Sequence, residues 1–387
     1  MNKRIRSSST SGEKTVSFGL IPVDLFISNI LSRLPVDSLG QCRCVSKLWS
    51  SIIRRPYYNV LFPIKSPAPP RILFTIEYGG DMLFYSSPQP HNLDKNTSLV
   101  ATLHHRTRNT KFYDICDPVS GLVCRQYNPV GMIINPITGE SFKLPDLSLE
   151  GAKSEMSFDR ARYAFGYDPL DKQFKVLCIT WLRSGSQNLS DEYQVLTLGD
   201  GNKNLLWRKI QCCKIHYALN GNAICINGVL YYPAEIYEGE VAILCFDVRS
   251  ERFSVVNVNK DMAEKKKSIT FTLIDYKGKL GALNYDNLLE LWVLEDAKAS
   301  KWSKLSYGIS HPWLDRMWSV CLAGMIDSCK IVIHPRFTED PFFILYYNLE
   351  TNTITRVKLE VPLYKKFRVP GCRIHAFPNI VEDVKLM

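Results

Sequence analysis

Apolar and polar residues alternate by one rule up to about residue 65 and by another after it. Within residues 20 to 62, Phe26, Ile27, Ile30, Leu31 and Leu34 recur at spacings of one and four, which gathers them into one stripe at 3.6 residues per turn. Pro22 suits the first turn of that helix, Asp24 sits where the helix dipole favours a negative charge, and Pro35 ends it. A second short helix is expected from Asp37 or Ser38, carrying Leu39, Cys42 and Val45. A third follows Ser46 as N-cap, carries Leu48, Trp49, Ile52 and Ile53, and closes at Pro56. Three helices in about 40 residues bury too little surface to stand alone without disulfides, a metal or a partner, so something else must cover the remaining apolar face.

From Arg71 onward short runs of Val, Ile, Leu, Phe, Tyr and Cys are punctuated by Gly, Asn, Asp and Pro, which predicts strands and turns. The turns recur. Ile134-Asn135-Pro136-Ile137-Thr138-Gly139, Phe246-Asp247-Val248-Arg249-Ser250 and Tyr347-Asn348-Leu349-Glu350-Thr351 each lead from an apolar strand through a polar turn to a second strand. Val195 to Ile210 and Trp292 to Leu305 repeat the hairpin with longer turns and set Trp207 and Trp302 early in the second strand. Five such units at spacings of roughly 50 residues predict repeated four-stranded sheets stacked as the blades of a β-propeller. Blades are expected over Arg162 to Ile210, Ala223 to Val258, Thr270 to Ser306 and Trp318 to Leu359, with an earlier one from Gly121 to Leu144. Ile72 to Glu77 and Met82 to Tyr85 would join Ile374 to Val381 in a closing blade. The fold class is therefore mainly β: an N-terminal three-helix segment, then a propeller-like repeat domain of about six blades. A β-sandwich is the runner-up, because strand counts alone do not separate the two.

Both segments resemble known families. Ile21-Pro22-x-Asp24-Leu25, Ile30-Leu31-x-x-Leu34-Pro35, Ser38-Leu39 and Arg43-Cys44-Val45-Ser46-Lys47-x-Trp49 resemble the F-box of plant F-box proteins in order and spacing. The resemblance implies docking onto a Skp-type adaptor, and through it a cullin, with Ile21, Pro22, Leu25, Ile30, Leu31, Leu34, Pro35, Val45 and Trp49 facing the adaptor. Three positions depart from the pattern: Gly40 where leucine is common, Gln41 where a basic residue is common and Cys42 where an aromatic is common. Asp117-Pro118-x-x-Gly121-Leu122, Asn135-Pro136-x-Thr138-Gly139, Phe165-Gly166-Tyr167-Asp168, Trp207-Arg208-x-Ile210 and Ile226-Asn227-Gly228-Val229-Leu230-Tyr231 are similar to the F-box associated interaction domain of plants, most densely from about 115 to 258. That resemblance implies a substrate-recruiting module.

The domains expected are a basic, Ser-rich, disordered tail over 1–18, an F-box over 19–62, a Pro-rich linker over 63–70 and the β domain over 71–387. A net charge of +10 raises nucleic acid as a partner, but the basic clusters at Lys265-Lys266-Lys267 and Lys365-Lys366-Phe367-Arg368 are small and lack a basic helix or RNA-binding signature. Twelve cysteines lie mostly in apolar runs with no CxxC pair, which fits a reducing compartment and argues against zinc. No apolar stretch reaches the roughly 18 residues of a membrane helix. The expected location is the cytoplasm, the nucleus or both.

Catalytic chemistry finds no motif. GxSxG, P-loop, HExxH and paired carboxylates are missing from the sequence, Gly79-Gly80-Asp81 reads as a hairpin turn, and His104-His105 is expected in a surface loop. No enzyme activity, cofactor or metal is expected. If the hairpin turns share one face, the other carries loops 181–192, 233–242, 285–288 and 335–341 and the joins between blades. These hold Trp181, Arg183, Tyr217, Tyr237, Tyr285, Trp313 and Arg336, and such aromatic and Arg residues anchor interfaces. The expected function is a substrate-recognition adaptor of a Skp-cullin-F-box ubiquitin ligase, delivering an unidentified target protein for ubiquitination and degradation. The alternatives are a propeller-fold hydrolase with a helical cap and a basic nucleic-acid-binding propeller.

Overall fold

The computed structural model describes residues 69–90, 97–107, 114–127, 130–147, 160–184, 187–198, 205–213, 216–218, 223–236, 240–263, 271–285, 288–308, 320–362 and 372–381, with Ile30, Ser38, Gln41, Cys42, Val45, Lys47 and Trp49 nearer the N-terminus. The chain divides into two units, Met1–Lys65 and Ser66–Met387. In the first unit Ser38, Gln41, Cys42, Val45, Lys47 and Trp49 are helical, while Ile30, expected inside the first helix, lies in a turn. The tail expected over 1–18 and the other residues of the expected first helix lie outside the described residues.

Among the described residues, six sheets make up the second unit. Blade 1 is β5 (Asp114–Ile115), β6 (Val123–Tyr127), β7 (Val130–Ile134) and β8 (Ser141–Lys143). Blade 2 is β9 (Arg160–Asp168), β10 (Gln173–Ser184), β11 (Gln187–Leu198) and β12 (Arg208–Ile210). Blade 3 has β14 (Ile224–Ile226), β15 (Val229–Glu235), β16 (Val241–Asp247) and β17 (Phe253–Asn257), with β13 (Tyr217–Ala218) pairing the far end of β15. Blade 4 follows the short helix α1 (Lys260–Ala263) with β18 (Thr272–Tyr276), β19 (Lys279–Tyr285), β20 (Leu289–Asp296) and β21 (Lys301–Tyr307). Blade 5 is β22 (Val320–Ile326), β23 (Lys330–Pro335), β24 (Phe343–Asn348) and β25 (Thr353–Glu360). Blade 6 closes the ring in the order β26 (Ile374–Ile380), β1 (Arg71–Tyr78), β2 (Asp81–Pro88) and β4 (Thr102–Thr107).

Closure is double. β26 from the far end of the chain pairs antiparallel with β1, Arg71 opposite Ile380. β3 (Ser98–Val100) pairs in parallel with β25, Ser98 opposite Lys358, and Ala101 N–H donates to Glu360 O at 2.9 Å. Two long-range pairings therefore hide strand edges that would otherwise template association.

The core settles the architecture. Among the described residues, buried apolar side chains form one cluster at each boundary between consecutive blades. Phe165 and Cys124 meet between blades 1 and 2, Leu177 and Phe246 between 2 and 3, Ile243 and Trp292 between 3 and 4. Leu291 and Ile333 meet between 4 and 5, Tyr85 and Ile344 between 5 and 6, and Phe84 and Ile134 between 6 and 1. A sandwich would place one shared interior between two sheets, whereas six interiors in a ring are a six-bladed propeller.

The recurring turns have a common cause. Asn135 accepts from the backbone N–H of Ile137 and Thr138, Asp168 from Leu170, Asp247 from Ser250, Asp275 from Gly278, Asp296 from Lys298 and Ala299, and Asn348 from Glu350 and Thr351. Each is a side chain completing its own turn two or three residues on, which is why Asn or Asp ends the strand before it. Gly139 completes the first of these with a positive φ of 75°, and a side chain there would collide with the His105 imidazole of blade 6.

Three expectations are corrected. Loop 181–192 is instead the end of a long hairpin, with Ser184 opposite Gln187, so Trp181 and Arg183 are strand residues next to a bulge at Thr180/Leu182. Likewise Tyr217 lies in β13, and Tyr285 ends β19 with its ring half-buried against the cluster between blades 4 and 5. His104 and His105 sit in β4 rather than a surface loop, His104 Nε2 lying 2.6 Å from Ser86 Oγ and His105 stacked on Phe84.

Candidate functional site

Antiparallel strands carry alternate connections to opposite ends of each sheet. The turns led by Asp168, Asp247, Asp275, Asp296 and Asn348 share one face, where Arg249 Nε reaches Asp171 at 3.2 Å and Asn227 Nδ2 donates to Gly278 O at 3.1 Å across neighbouring blades. Pro70, whose carbonyl accepts from Gln89 N–H at 3.3 Å, and Ile380, opposite Arg71, lie on this face too. The opposite, long-loop face carries neither end of the propeller. It holds the hairpin tip beyond Ser184, the loop closed by Ile236 N–H donating to Glu240 O at 2.7 Å, and the connection from Arg336 to Phe342.

Of the seven residues expected on that face, Arg336 is placed in such a loop, exposed. Trp181, Arg183, Tyr217 and Tyr285 belong to strands as described above, and Tyr237 and Trp313 lie outside the described residues. The described ones are spread over blades 2, 3, 4 and 5.

The Arg336 loop is tightly fastened. Ile374 N–H donates to Arg336 O at 3.0 Å and Thr338 N–H to Cys372 O at 2.8 Å, which makes Phe337 and Arg373 a bridged pair. Cys372 N–H donates back to Thr338 Oγ1 at 3.1 Å, and Glu77 N–H to Arg373 O at 3.0 Å. The loop is thereby tied to β26 and β26 to β1. Phe337 is 40% exposed and is the single aromatic among the described large apolar side chains left open to solvent. Sequence reasoning named Arg336 and passed over Phe337, although an aromatic in the polar run His334-Pro335-Arg336-Phe337-Thr338-Glu339 was the available signal.

Titratable groups cluster beneath this face. His375 Nε2 lies 3.7 Å from Glu77 Oε1. Burial pushes the His334 imidazole down to about 4, against the opposing effect of its 2.8 Å hydrogen bond to Pro335 O. Arg125 is buried between blades 6 and 1, its guanidinium 5.7 Å above the Phe84 ring and donating to Thr107 Oγ1 at 3.0 Å. Burial lowers it to about 9, with the Glu77 charge opposing. Elsewhere His216 is buried with Tyr193 OH 3.3 Å from Nδ1, Cys212 Sγ 3.7 Å from Nδ1 and Tyr232 OH 2.8 Å from Nε2. That arrangement satisfies a core histidine on both nitrogens. Among the described residues no group of three or more His, Cys, Asp or Glu is placed to hold a metal.

Of the nine positions expected to face an adaptor, Ile30 and Val45 are 37% and 66% exposed, and Trp49 is half-buried on a helix. Ile21, Pro22, Leu25, Leu31, Leu34 and Pro35 lie outside the described residues. Exposed branched apolar side chains on a small helical unit have the chemistry of a surface that a partner covers.

Comparison with known proteins gives two family matches: an F-box domain over residues 24–61 and an F-box associated beta propeller domain over residues 71–381. The Arabidopsis thaliana protein At1g53550, whose name places it among F-box proteins, is 50% identical across 100% of this chain and 96% of its own length. F-box protein At1g53790 of the same plant is 40% identical over 96% of this chain and 82% of its own. The Arabidopsis F-box protein DOR is 39% identical over 96% of this chain and 95% of its own.

Proposed function

Given that the chain belongs to the F-box proteins that carry an F-box associated beta propeller domain, we propose that it is the substrate-recognition adaptor of a Skp-cullin-F-box ubiquitin ligase. The F-box binds a Skp-type adaptor, and through it a cullin, while the propeller holds a target protein for ubiquitination and degradation. The observation that carries this reading is the succession of an F-box over 24–61 and a six-bladed propeller over 71–381 whose ends share the tight-turn face. Catalysis is left to the other subunits. Holding the target beside the charged conjugating enzyme turns a bimolecular encounter into an effectively intramolecular one, with effective concentrations in the millimolar range for short tethers. The site of action on this reading is the cytoplasm or nucleus.

Reconstitution tests it. The full chain is mixed with a Skp-type adaptor, a cullin with its RING subunit, a conjugating enzyme, ubiquitin and ATP, and ubiquitin ladders on the chain's own lysines are followed. Ladders that require the Skp-type adaptor and vanish in a Pro22→Ala, Leu34→Ala double variant are expected. Equal ladders from the double variant, or none from wild type, would overturn the assignment.

A further inference from the structure

We propose that Phe337 and Arg373 together form the anchor by which the long-loop face grips its target, and that the segment gripped presents an apolar side chain beside a carboxylate. The inference rests on the adaptor reading above and specifies the chemistry of its target.

Three observations carry it. First, the hydrogen bonds from Ile374 N–H to Arg336 O and from Thr338 N–H to Cys372 O flank the pair, so Phe337 and Arg373 face each other at a non-hydrogen-bonded position. Side chains at such positions lie closest together and on the same side of the ribbon. Alternation turns Arg336 to the other side, toward buried His334, whose imidazole its charge depresses further. The residue singled out by sequence is thus the neighbour of the anchor.

Second, both side chains are exposed, and among the described residues the Arg373 guanidinium has no carboxylate partner. An open aromatic ring beside an uncommitted guanidinium is the composition of interface hot spots. It suits an apolar side chain on the ring and a carboxylate on the guanidinium, in the bidentate geometry that Arg favours.

Third, the backbone beneath is already fixed by its ties to β26 and β1. Little ordering entropy is lost when a partner binds a surface held in this way. Glu339, exposed two residues beyond Phe337, puts a negative charge at the other end of the strip, so a bound segment has one favoured direction.

The test is an array of synthetic 12-residue peptides with Leu, Phe, Trp or Ser at the centre and Asp/Glu or Lys flanks, probed with the full chain. The probes are wild type, Phe337→Ser and Arg373→Glu, each checked by thermal melting; the wild-type melting temperature is expected in both because the two side chains are exposed. Wild type is expected to prefer apolar peptides with acidic flanks over those with basic flanks by about tenfold. Phe337→Ser should lose that binding by about tenfold or more, and Arg373→Glu should shift the preference toward basic flanks. The same binding pattern in Phe337→Ser, no flank preference, no peptide bound by wild type, or a dimer that Phe337→Ser dissolves would each overturn the proposal. Capture by an immobilised Skp-type adaptor is measured on the same proteins. Retained capture with an unchanged array pattern discards the anchor alone, whereas wild type failing to be captured discards the adaptor reading.

Discussion

Lys175 Nζ of blade 2 lies 2.9 Å from Glu251 Oε1 of blade 3, with side chains only 8% and 14% exposed. Lys175 also donates to Arg249 O at 3.3 Å, and Arg208 reaches the same Glu251 oxygen at 2.7 Å. One carboxylate thus fastens two blades at the tight-turn face.

Burial alone would raise the Glu251 carboxyl, but the hydrogen bonds and charges of Lys175 and Arg208 outweigh it and hold the group below its ordinary value. A depressed carboxyl stabilises the fold above its unfolded pKa, and the contribution fades as pH falls through the folded value. Glu251→Gln keeps the shape and leaves the Lys175 ammonium buried without its counter-charge. We expect a loss of about 2 kcal/mol at pH 7, read from the urea midpoint, and a smaller loss near pH 3.

Two tryptophans hold other blade boundaries in the same way as each other. The Trp207 indole N–H of blade 2 donates to Pro145 O of blade 1 at 2.8 Å, and Trp302 of blade 4 to Asn257 O of blade 3 at 2.9 Å. Replacing either by Phe removes one hydrogen bond and leaves most of the ring area, so each should cost about 1 kcal/mol in chemical denaturation. Trp207→Phe should cost more, because Trp207 also packs on Tyr163 with centroids 6.0 Å apart.

His334 makes stability fall in mild acid. Its imidazole is 3% exposed and is pushed down to about 4, so the unfolded chain binds a proton that the folded chain refuses. The folded state is fully favoured above the unfolded value near 6.5 and loses on the order of 3 kcal/mol as pH falls from there to about 4. Unfolding midpoints measured between pH 7.5 and 4.5 should show that slope, and His334→Gln should flatten it.

The propeller depends on its last strand. Without β26 the edge of β1 is unpaired and the clusters on both sides of blade 6 lose Ile374, Ala376 and Phe377. A chain ended at Cys372 should elute from size exclusion as aggregate, and one ended at Val381 as a monomer.

Local chemistry made much of this legible in the sequence. Asn135, Asp247 and Asn348 close turns with their own side chains, so the hairpins announce themselves within a few residues, and Trp207 and Trp302 repeat at one place in the repeat. The terminal strands 72–77, 82–85 and 374–381 join as their apolar runs suggested. Pairings with no local signature were not legible. Ser98–Val100 finds β25 some 260 residues away, and the polar run Thr102-Leu103-His104-His105-Arg106-Thr107 is a strand only because β2 lies beside it. Polar Gln187–Glu192 is likewise held in extended form by Thr180–Ser184. On the long-loop face residue type was enough to place Arg336 in an exposed loop, whereas the pairing of Phe337 with Arg373 depends on a bridge between distant segments.

On the adaptor reading proposed above, the F-box engages a Skp-type adaptor. Isothermal titration of the purified full chain with the adaptor tests it most directly, with wild type compared against Pro22→Ala, Leu34→Ala. One-to-one binding by wild type, weakened by at least about tenfold in the double variant with the propeller still folded by circular dichroism, is the predicted result. No heat of binding from a folded wild-type chain, or equal affinity in the two proteins, would contradict it.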